Sequence, residues 1–83
     1  IDTKSQIYPN PSADNLNILV GGDSLHSEID IIDTFGNIVY SKKIKLDFAS
    51  RYFRLDISML PIGNYFLKIY SNSGFETIKF IKK

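Results

Sequence analysis

Apolar side chains recur at every second position along much of the chain, and this alternation is the most informative feature of the sequence. In residues 14–20, Leu16, Ile18 and Val20 occupy alternate positions. Successive side chains of a β-strand point to opposite faces, so a period of two residues predicts a half-buried strand. A short first strand near Thr3 to Tyr8 and similar runs at 25–33, 38–46, 51–57, 64–70 and 75–82 bring the expected total to seven strands.

Turn-forming residues separate these runs at intervals of roughly 8–12 residues, a spacing typical of β-sandwiches. Glycine, serine and asparagine mark such turns at residues 21–23 and 71–74. No segment carries apolar residues at helical spacing over three turns. The pattern therefore predicts an all-β fold, a seven-stranded antiparallel immunoglobulin-like β-sandwich, with residues 1–83 forming a single domain.

The predicted hairpin in the middle of the chain has two distinctive features, one in its loop and one in its second strand. The segment Asp33 to Asn37 has the composition of a tight hairpin loop, in which Gly36 or Asn37 is expected to adopt a positive φ. Further along, Lys42 interrupts the apolar face of the strand. A charged residue at such a position predicts a β-bulge or a strand end there.

The apolar faces of the strands define the expected core. Tyr65 follows Gly63 by two residues at a strand entry, which is the setting of a tyrosine corner, where the phenol hydroxyl bonds to the backbone just upstream. The residues expected to be buried are Leu16, Ile18, Ile29, Ile31, Phe53, Leu55, Ile57, Tyr65, Leu67 and Ile69.

Composition narrows the possibilities further. Hydrophobic residues make up 43% of the 83 residues and there is no cysteine, so packing must hold the fold without disulfides or a Cys-based metal site. The formal net charge of +1 gives no field that would collect nucleic acid. No apolar run approaches the roughly 20 residues of a membrane-spanning helix. The chain reads as a folded piece from the C-terminal end of a longer protein.

Residue types that carry chemistry are present but poorly arranged for it. The only histidine, His26, would share one strand face with Glu28 and Asp30, whereas the members of a catalytic triad come from distant segments. We therefore expect His26 to be an ordinary surface residue. Asp30 and Asp33 lie on opposite strand faces and lack calcium-loop spacing. The sequence predicts no enzyme activity, no metal and no cofactor.

Four segments of the chain resemble a known family. Tyr8-Pro9-Asn10-Pro11 leads, with Leu16-Asn17-Ile18 shortly after, into the first long strand, and residues 29–39 are similar to the family's central hairpin. Residues 55–69 resemble its most recognisable block, and residues 76–83 its basic, strand-forming tail. In this order and over nearly the whole chain, they resemble the type A C-terminal sorting domains of the Bacteroidetes type IX secretion system.

The resemblance implies a domain that is carried at the C-terminus of a cargo protein through the periplasm. It would be recognised by the outer-membrane type IX translocon with its shuttle and sortase components, and such domains are commonly removed by the sortase. The cargo would then be released or attached to surface lipopolysaccharide, and Ile1 to Gln6 would lie in or near the cleaved linker. We expect a monomer that binds neither nucleic acid nor a small-molecule substrate.

Both ends of the sorting domain have features that suit recognition. Pro9 and Pro11 fix φ and remove two backbone donors, which gives a stiff entry to the domain. A last strand that ends in Lys82 and Lys83 is expected to leave a sheet edge open to strand addition by a partner. The full set of motif residues is Tyr8, Pro9, Asn10, Pro11, Gly36, Asn37, Gly63, Tyr65, Lys68, Ile78, Lys79, Phe80, Ile81, Lys82 and Lys83.

Two other functions remain open at this stage, an immunoglobulin-like adhesion or spacer module and a carbohydrate-binding module. The second would use Tyr52, Phe66 and Tyr70, which point away from the expected core, as stacking platforms for sugar rings. The absence of tryptophan weighs against it. The lysines also have a simpler explanation as residues that keep sheet edges from pairing with other molecules; they are Lys42, Lys43, Lys45, Lys79, Lys82 and Lys83.

Overall fold

A computed structural model describes residues 5–21, 26–46, 51–72 and 74–83, and within these ranges the chain forms seven β-strands and no helix. The predicted turn at Gly22 and Asp23 lies outside the described residues, as does the start of the predicted first strand. The strands are β1 Gln6–Tyr8, β2 Asn15–Leu19, β3 His26–Asp33, β4 Ile38–Leu46, β5 Tyr52–Asp56, β6 Gly63–Ser71 and β7 Gly74–Lys82.

The strands form two packed antiparallel sheets, one of three strands in the order β1-β2-β5 and one of four in the order β4-β3-β6-β7. This confirms the predicted immunoglobulin-like sandwich. In a constant-type immunoglobulin domain the fourth strand lies beside the fifth. Here β4 pairs with β3 instead and forms one edge of the four-stranded sheet.

The core consists of alternate residues from both sheets, as the period-two pattern predicts. Nine of the ten residues expected to be buried are buried, but Phe53 is only partly so. Phe53 lies on β5, an edge of the three-stranded sheet, where none of the described strands covers its flank. The buried hydrophobic residues are Leu16, Ile18, Val20, Ile29, Ile31, Leu55, Ile57, Leu60, Tyr65, Leu67, Ile69 and Phe80.

The prediction of a bulge at Lys42 is wrong in position. Lys42 pairs regularly with Ile29, and the register shifts of the β3–β4 pair lie on either side, one between Ile31 and Ile32 and one between His26 and Glu28. The first shift skips Val39, because Ile31 pairs with Tyr40 and Ile32 with Ile38. The extra residue reverses the alternation, which leaves Ile38 60% exposed instead of in the core.

Asp33 organises the β3–β4 hairpin. Its carboxylate Oδ1 accepts hydrogen bonds from the backbone N–H groups of Phe35 and Asn37, each at 2.9 Å. Gly36 has a φ of 87° and is the residue with positive φ in this turn, whereas Asn37 is not. The backbone N–H of Asn37, followed by those of Phe35 and Gly36 and the Asn37 side chain, lowers the pKa of Asp33 below its usual 3.8, although partial desolvation opposes the shift.

Acid is therefore expected to weaken the hairpin. A carboxyl group whose pKa is lower in the folded state stabilises the fold above its unfolded pKa, and this contribution is lost as the pH falls through the folded-state value. Denaturation curves collected between about pH 6 and pH 3 should show a smaller loss of stability for Asp33→Asn than for the wild type. Parallel losses in the two proteins would show that Asp33 is not the group responsible.

Tyr65 forms the predicted tyrosine corner at the start of β6. Its hydroxyl donates a hydrogen bond of 2.6 Å to the carbonyl oxygen of Pro61, and its ring stacks on Phe80 with 5.6 Å between the centroids. The corner thus joins the β5–β6 loop to β6 and β7. Its role is structural, as expected from the sequence.

Removal of the Tyr65 hydroxyl should cost a modest part of the stability. Tyr65→Phe keeps the stacked ring but leaves the Pro61 carbonyl without its partner, so the free energy of unfolding should fall by about 0.5–1.5 kcal/mol. Urea denaturation measures the change. Tyr70→Phe, at a half-buried ring on the outer face of the sheet, is the matched control and should change stability by less than about 0.5 kcal/mol. Equal effects would contradict the corner.

Candidate recognition surface at the end of the last strand

The last strand, β7, is an edge of the four-stranded sheet and pairs with β6 along its whole length, from Gly63 opposite Lys82 to Ser71 opposite Gly74. In an antiparallel pair the backbone groups of alternate residues point to the neighbouring strand, and the others point away from it. Ile81 and Lys83 turn theirs away from β6. The sequence predicts that this outer edge is free.

The end of that edge is occupied, which corrects the prediction. The backbone N–H of Ser12 donates to the carbonyl oxygen of Ile81, and the N–H of Lys83 donates to the carbonyl oxygen of Ser12, both at 2.8 Å. Ser12 and Lys82 form a parallel β-bridge. Residues 9–12, which we call the latch, therefore leave the three-stranded sheet and join the end of β7 before the chain returns to β2.

Asn10 provides the second attachment of the latch. Its side-chain Oδ1 accepts from the backbone N–H of Ile81 at 3.0 Å, and its Nδ2 donates to the carbonyl oxygen of Lys79 at 3.4 Å. Prolines on both sides of Asn10 have no backbone N–H to offer, so the side-chain amide serves the edge in their place. The peptide bonds that precede Pro9 and Pro11 are both cis.

Ser12 closes the latch from the inside. The residue is fully buried, and its hydroxyl donates to the carbonyl oxygen of Pro9. With its backbone groups bonded to Ile81 and Lys83, Ser12 satisfies polar groups that burial would otherwise make costly. Sequence reasoning missed this residue, since a lone serine after a proline has no distinguishing pattern. Pro9, Asn10 and Pro11 remain exposed on the outside.

Most of the motif residues meet at one end of the sandwich, which we call the tail end. Asp33 pairs with Tyr65, and Gly63 pairs with Lys82, so the β3–β4 hairpin, the start of β6 and the end of β7 lie side by side, with the latch beyond. Exposed apolar side chains also belong to these loops, with Phe35 88% and Ile62 82% exposed. Nothing in the hydropathy pattern indicates that these loops adjoin the tail.

Lys68 and Ile78 lie apart from the tail end, halfway along β6 and β7. Lys68 pairs with Thr77, and Ile78 pairs with Leu67. Ile78 packs against the core. The Lys68 ammonium group lies over the Phe75 ring, 4.2 Å from its centroid, in a cation–π contact. The structure thus gives both residues local packing partners.

Chain entry lies well away from Lys83. The hydroxyl oxygen of Ser5 accepts from the backbone N–H of Gly21 at 3.0 Å, and the backbone N–H of Ser5 donates to Oε2 of Glu76 at 2.9 Å. Glu76 precedes Lys82 by six residues on β7, which corresponds to roughly 20 Å of extended strand. Ser5 therefore lies beside the first part of β7, and four residues, roughly 13 Å of extended chain, connect it to the latch.

Lys82 and Lys83 are not equivalent, although the sequence suggests one basic pair. Lys82 is 7% exposed and its Nζ donates to the carbonyl oxygen of Lys83 at 3.1 Å. Lys83 and Lys79 are exposed. The even-numbered positions of β7 face the sandwich interior and the odd-numbered ones face outward. Of the three lysines in residues 79–83, Lys79 and Lys83 therefore present their charge on the outer surface and Lys82 does not.

The three aromatic residues considered for sugar stacking do not form one platform. Tyr52 lies on the three-stranded sheet, where its hydroxyl donates to Oδ1 of Asn17 at 2.6 Å. Phe66 and Tyr70 lie on the other sheet and are partly buried. Tyr70 packs against the Phe75 ring at 5.9 Å between centroids.

The residues considered for catalysis or metal binding lie in ordinary strand positions. His26 pairs with Leu46 and Ser71 in the sheet, and its side chain lies outside the described residues. Asp30 is buried and accepts a hydrogen bond of 2.6 Å from the Ser41 hydroxyl. Within the described ranges, no three His, Cys, Asp or Glu residues are grouped as metal ligands, and no helix could cross a membrane.

Comparison with known families gives a direct result. A family model described as the secretion system C-terminal sorting domain matches residues 6–83, which covers every strand and the latch. No curated protein matches the chain at a meaningful level. The match agrees with the sandwich fold and with the resemblance of the four sequence segments. This chain belongs to the family of secretion system C-terminal sorting domains.

Proposed function

We propose that this chain is a non-catalytic signal that directs an attached N-terminal cargo protein across the outer membrane through the type IX secretion system. The family match supports the assignment as a type IX C-terminal sorting signal, destined for export to the cell surface or beyond. In our proposal the domain passes through the periplasm as a folded monomer and carries no active site.

The observation that best supports this proposal is the placement of the motif residues. Tyr8 to Pro11, the β3–β4 hairpin, the start of β6 and the end of β7 come from distant parts of the chain and meet at the tail end. Ser5 lies beside Glu76, which precedes Lys82 by six residues on β7. A cargo attached ahead of residue 5 would leave the tail end accessible to a receptor.

The proposed partners are the outer-membrane translocon and the shuttle and sortase components that accompany it. After translocation the sortase would cut in or near residues 1–6, and the cargo would be released or attached to surface lipopolysaccharide. Residues 1–4 lie outside the described part of the chain, and the first described strand begins at Gln6. A cut before Gln6 would leave the sandwich and its latch intact.

A fusion experiment tests the proposal. Residues 1–83 are attached to the C-terminus of a periplasm-targeted reporter in a bacterium with a functional type IX system, and the reporter is quantified in periplasm, surface and medium. We expect the reporter at the surface or in the medium. If the fusion stays in the periplasm while a known sorting domain in the same arrangement is exported, the proposal is wrong and an adhesion or spacer role replaces it.

A further inference from the structure

The latch occupies the end of the outer edge of β7, where the sequence predicts strand addition. Strand addition uses unpaired backbone groups along a sheet edge. At the end of β7 the outward groups are the N–H and carbonyl of Ile81, the carbonyl of Lys79 and the N–H of Lys83, and the latch already bonds all four. A partner strand could pair here only after it had removed the latch and exposed the buried Ser12.

The other edge of the same sheet is also poorly suited to strand addition. Strand β4 has two register shifts, and Lys42 pairs with the inward-facing Ile29 while it remains exposed. A charge placed on the inner side of an edge strand, together with bulges, prevents a new strand from pairing. Recognition by backbone pairing is therefore disfavoured along β4 and at the end of β7, where the latch lies.

The closed latch instead creates a continuous side-chain surface from both ends of the chain. We call it the seam surface, and its six exposed residues are Pro9, Asn10, Pro11, Lys79, Ile81 and Lys83. It combines apolar contact area from the prolines and the isoleucine with two positive charges, and none of the six is acidic. Such a surface complements a protein surface that carries carboxylates around an apolar patch.

We propose that the secretion machinery reads the seam surface with the latch closed, through an apolar surface whose carboxylates face Lys79 and Lys83. This inference rests on the proposed function and specifies the recognised form of the signal. The receptor contacts residues 9–11 and the end of β7 together, because the Asn10 side chain holds the two segments side by side, accepting a hydrogen bond from Ile81 and donating one to Lys79. Neither segment alone presents the surface.

A disulfide lock distinguishes a closed latch from an opened one. The chain has no cysteine, and Ser12 and Lys82 are direct partners in a parallel bridge, a placement compatible with the Cα separation of roughly 4.4–6.8 Å that a disulfide needs. The variant Ser12→Cys with Lys82→Cys is fused to the reporter, and resistance to alkylation after denaturation without a reductant shows that the lock has formed, since both positions are buried in the folded protein. The control is Ser12→Cys with Lys82→Ser, which cannot lock.

The locked fusion should be exported to the same extent as its control. Retention of the locked fusion in the periplasm, with normal export of the control, would show that the latch must open and would overturn the proposal. Retention of the wild-type fusion would instead refute the sorting function itself, so the two failures are distinguishable. The charge test below does not depend on formation of the disulfide.

Charge reversal tests the acidic partner. Lys79→Glu with Lys83→Glu changes the seam surface, and Lys42→Glu with Lys43→Glu makes the same charge change on the exposed opposite edge, β4. We expect the first pair to lower export by at least about tenfold through repulsion of the receptor's carboxylates, and the second to leave it unchanged. Melting temperatures check that both pairs remain folded. Equal export from the two pairs would overturn the proposed surface.

Discussion

Replacement of Phe80 by alanine is expected to remove a large part of the stability of the domain. Phe80 lies on β7, is fully buried and stacks on Tyr65. Phenylalanine-to-alanine changes in a packed core cost about 3–5 kcal/mol, because they remove buried apolar surface and leave a cavity. A domain of this size has a total stability of roughly 4–12 kcal/mol, so the variant should unfold at much lower urea concentration than the wild type.

Phe75 provides the matched control on the same strand. It is 61% exposed and contacts Tyr70 and Lys68 on the outer face of the sheet. Phe75→Ala should therefore cost no more than about 1 kcal/mol. Similar losses for Phe80→Ala and Phe75→Ala would mean that the interior face of β7 does not pack against the core as described.

Deletion of residues 78–83 should have a still larger effect and abolish cooperative folding. The deletion removes the buried Phe80 and the part of β7 that pairs with the first half of β6. It also removes the partners of Asn10 and Ser12 in the latch. Circular dichroism should show loss of the β-sheet signal, and thermal melting should show no sharp transition.

Deletion of Lys83 alone is the control for this truncation. Lys83 is exposed, donates one backbone hydrogen bond to Ser12 and accepts one from the buried Lys82 ammonium group, so its removal should lower stability by roughly 1–3 kcal/mol. A cooperative transition in the longer truncation would contradict the structural role of β7. Since the longer truncation removes core as well as surface, its failure to export would not identify a signal, whereas the lysine variants keep the core intact.

The period of apolar residues predicted the strands and most of the core. Leu67 and Ile69 face the interior as their alternation requires, and Leu67→Ala should cost about 2–5 kcal/mol. The same alternation places Ile38 on the apolar face with Tyr40, which is wrong because Ile38 is 60% exposed. Ile38, Val39 and Tyr40 are three apolar residues in succession, and such a run gives no parity from which a bulge at Val39 could be located.

The candidate site was only partly predictable, because its key bonds are polar and distant in sequence. The resemblance identified Asn10 and Ile81 as motif residues without indicating that they touch. Their hydrogen bond spans 71 positions of the chain, and hydropathy patterns contain no information about such pairs. The difference in exposure between Lys82 and Lys83 could likewise not be predicted from the sequence, since exposure depends on which neighbour covers each side chain.

The 71-residue span of the Asn10–Ile81 bond also fixes when the latch can form. Contacts between the two extremes of a chain have the highest contact order in the molecule, and their loop-closure entropy is offset only when the intervening strands are already paired. The seam surface thus exists only on molecules in which β7 has been synthesised and the domain has completed its fold. A receptor that binds it selects finished proteins over nascent, truncated or misfolded ones and needs no separate proofreading step.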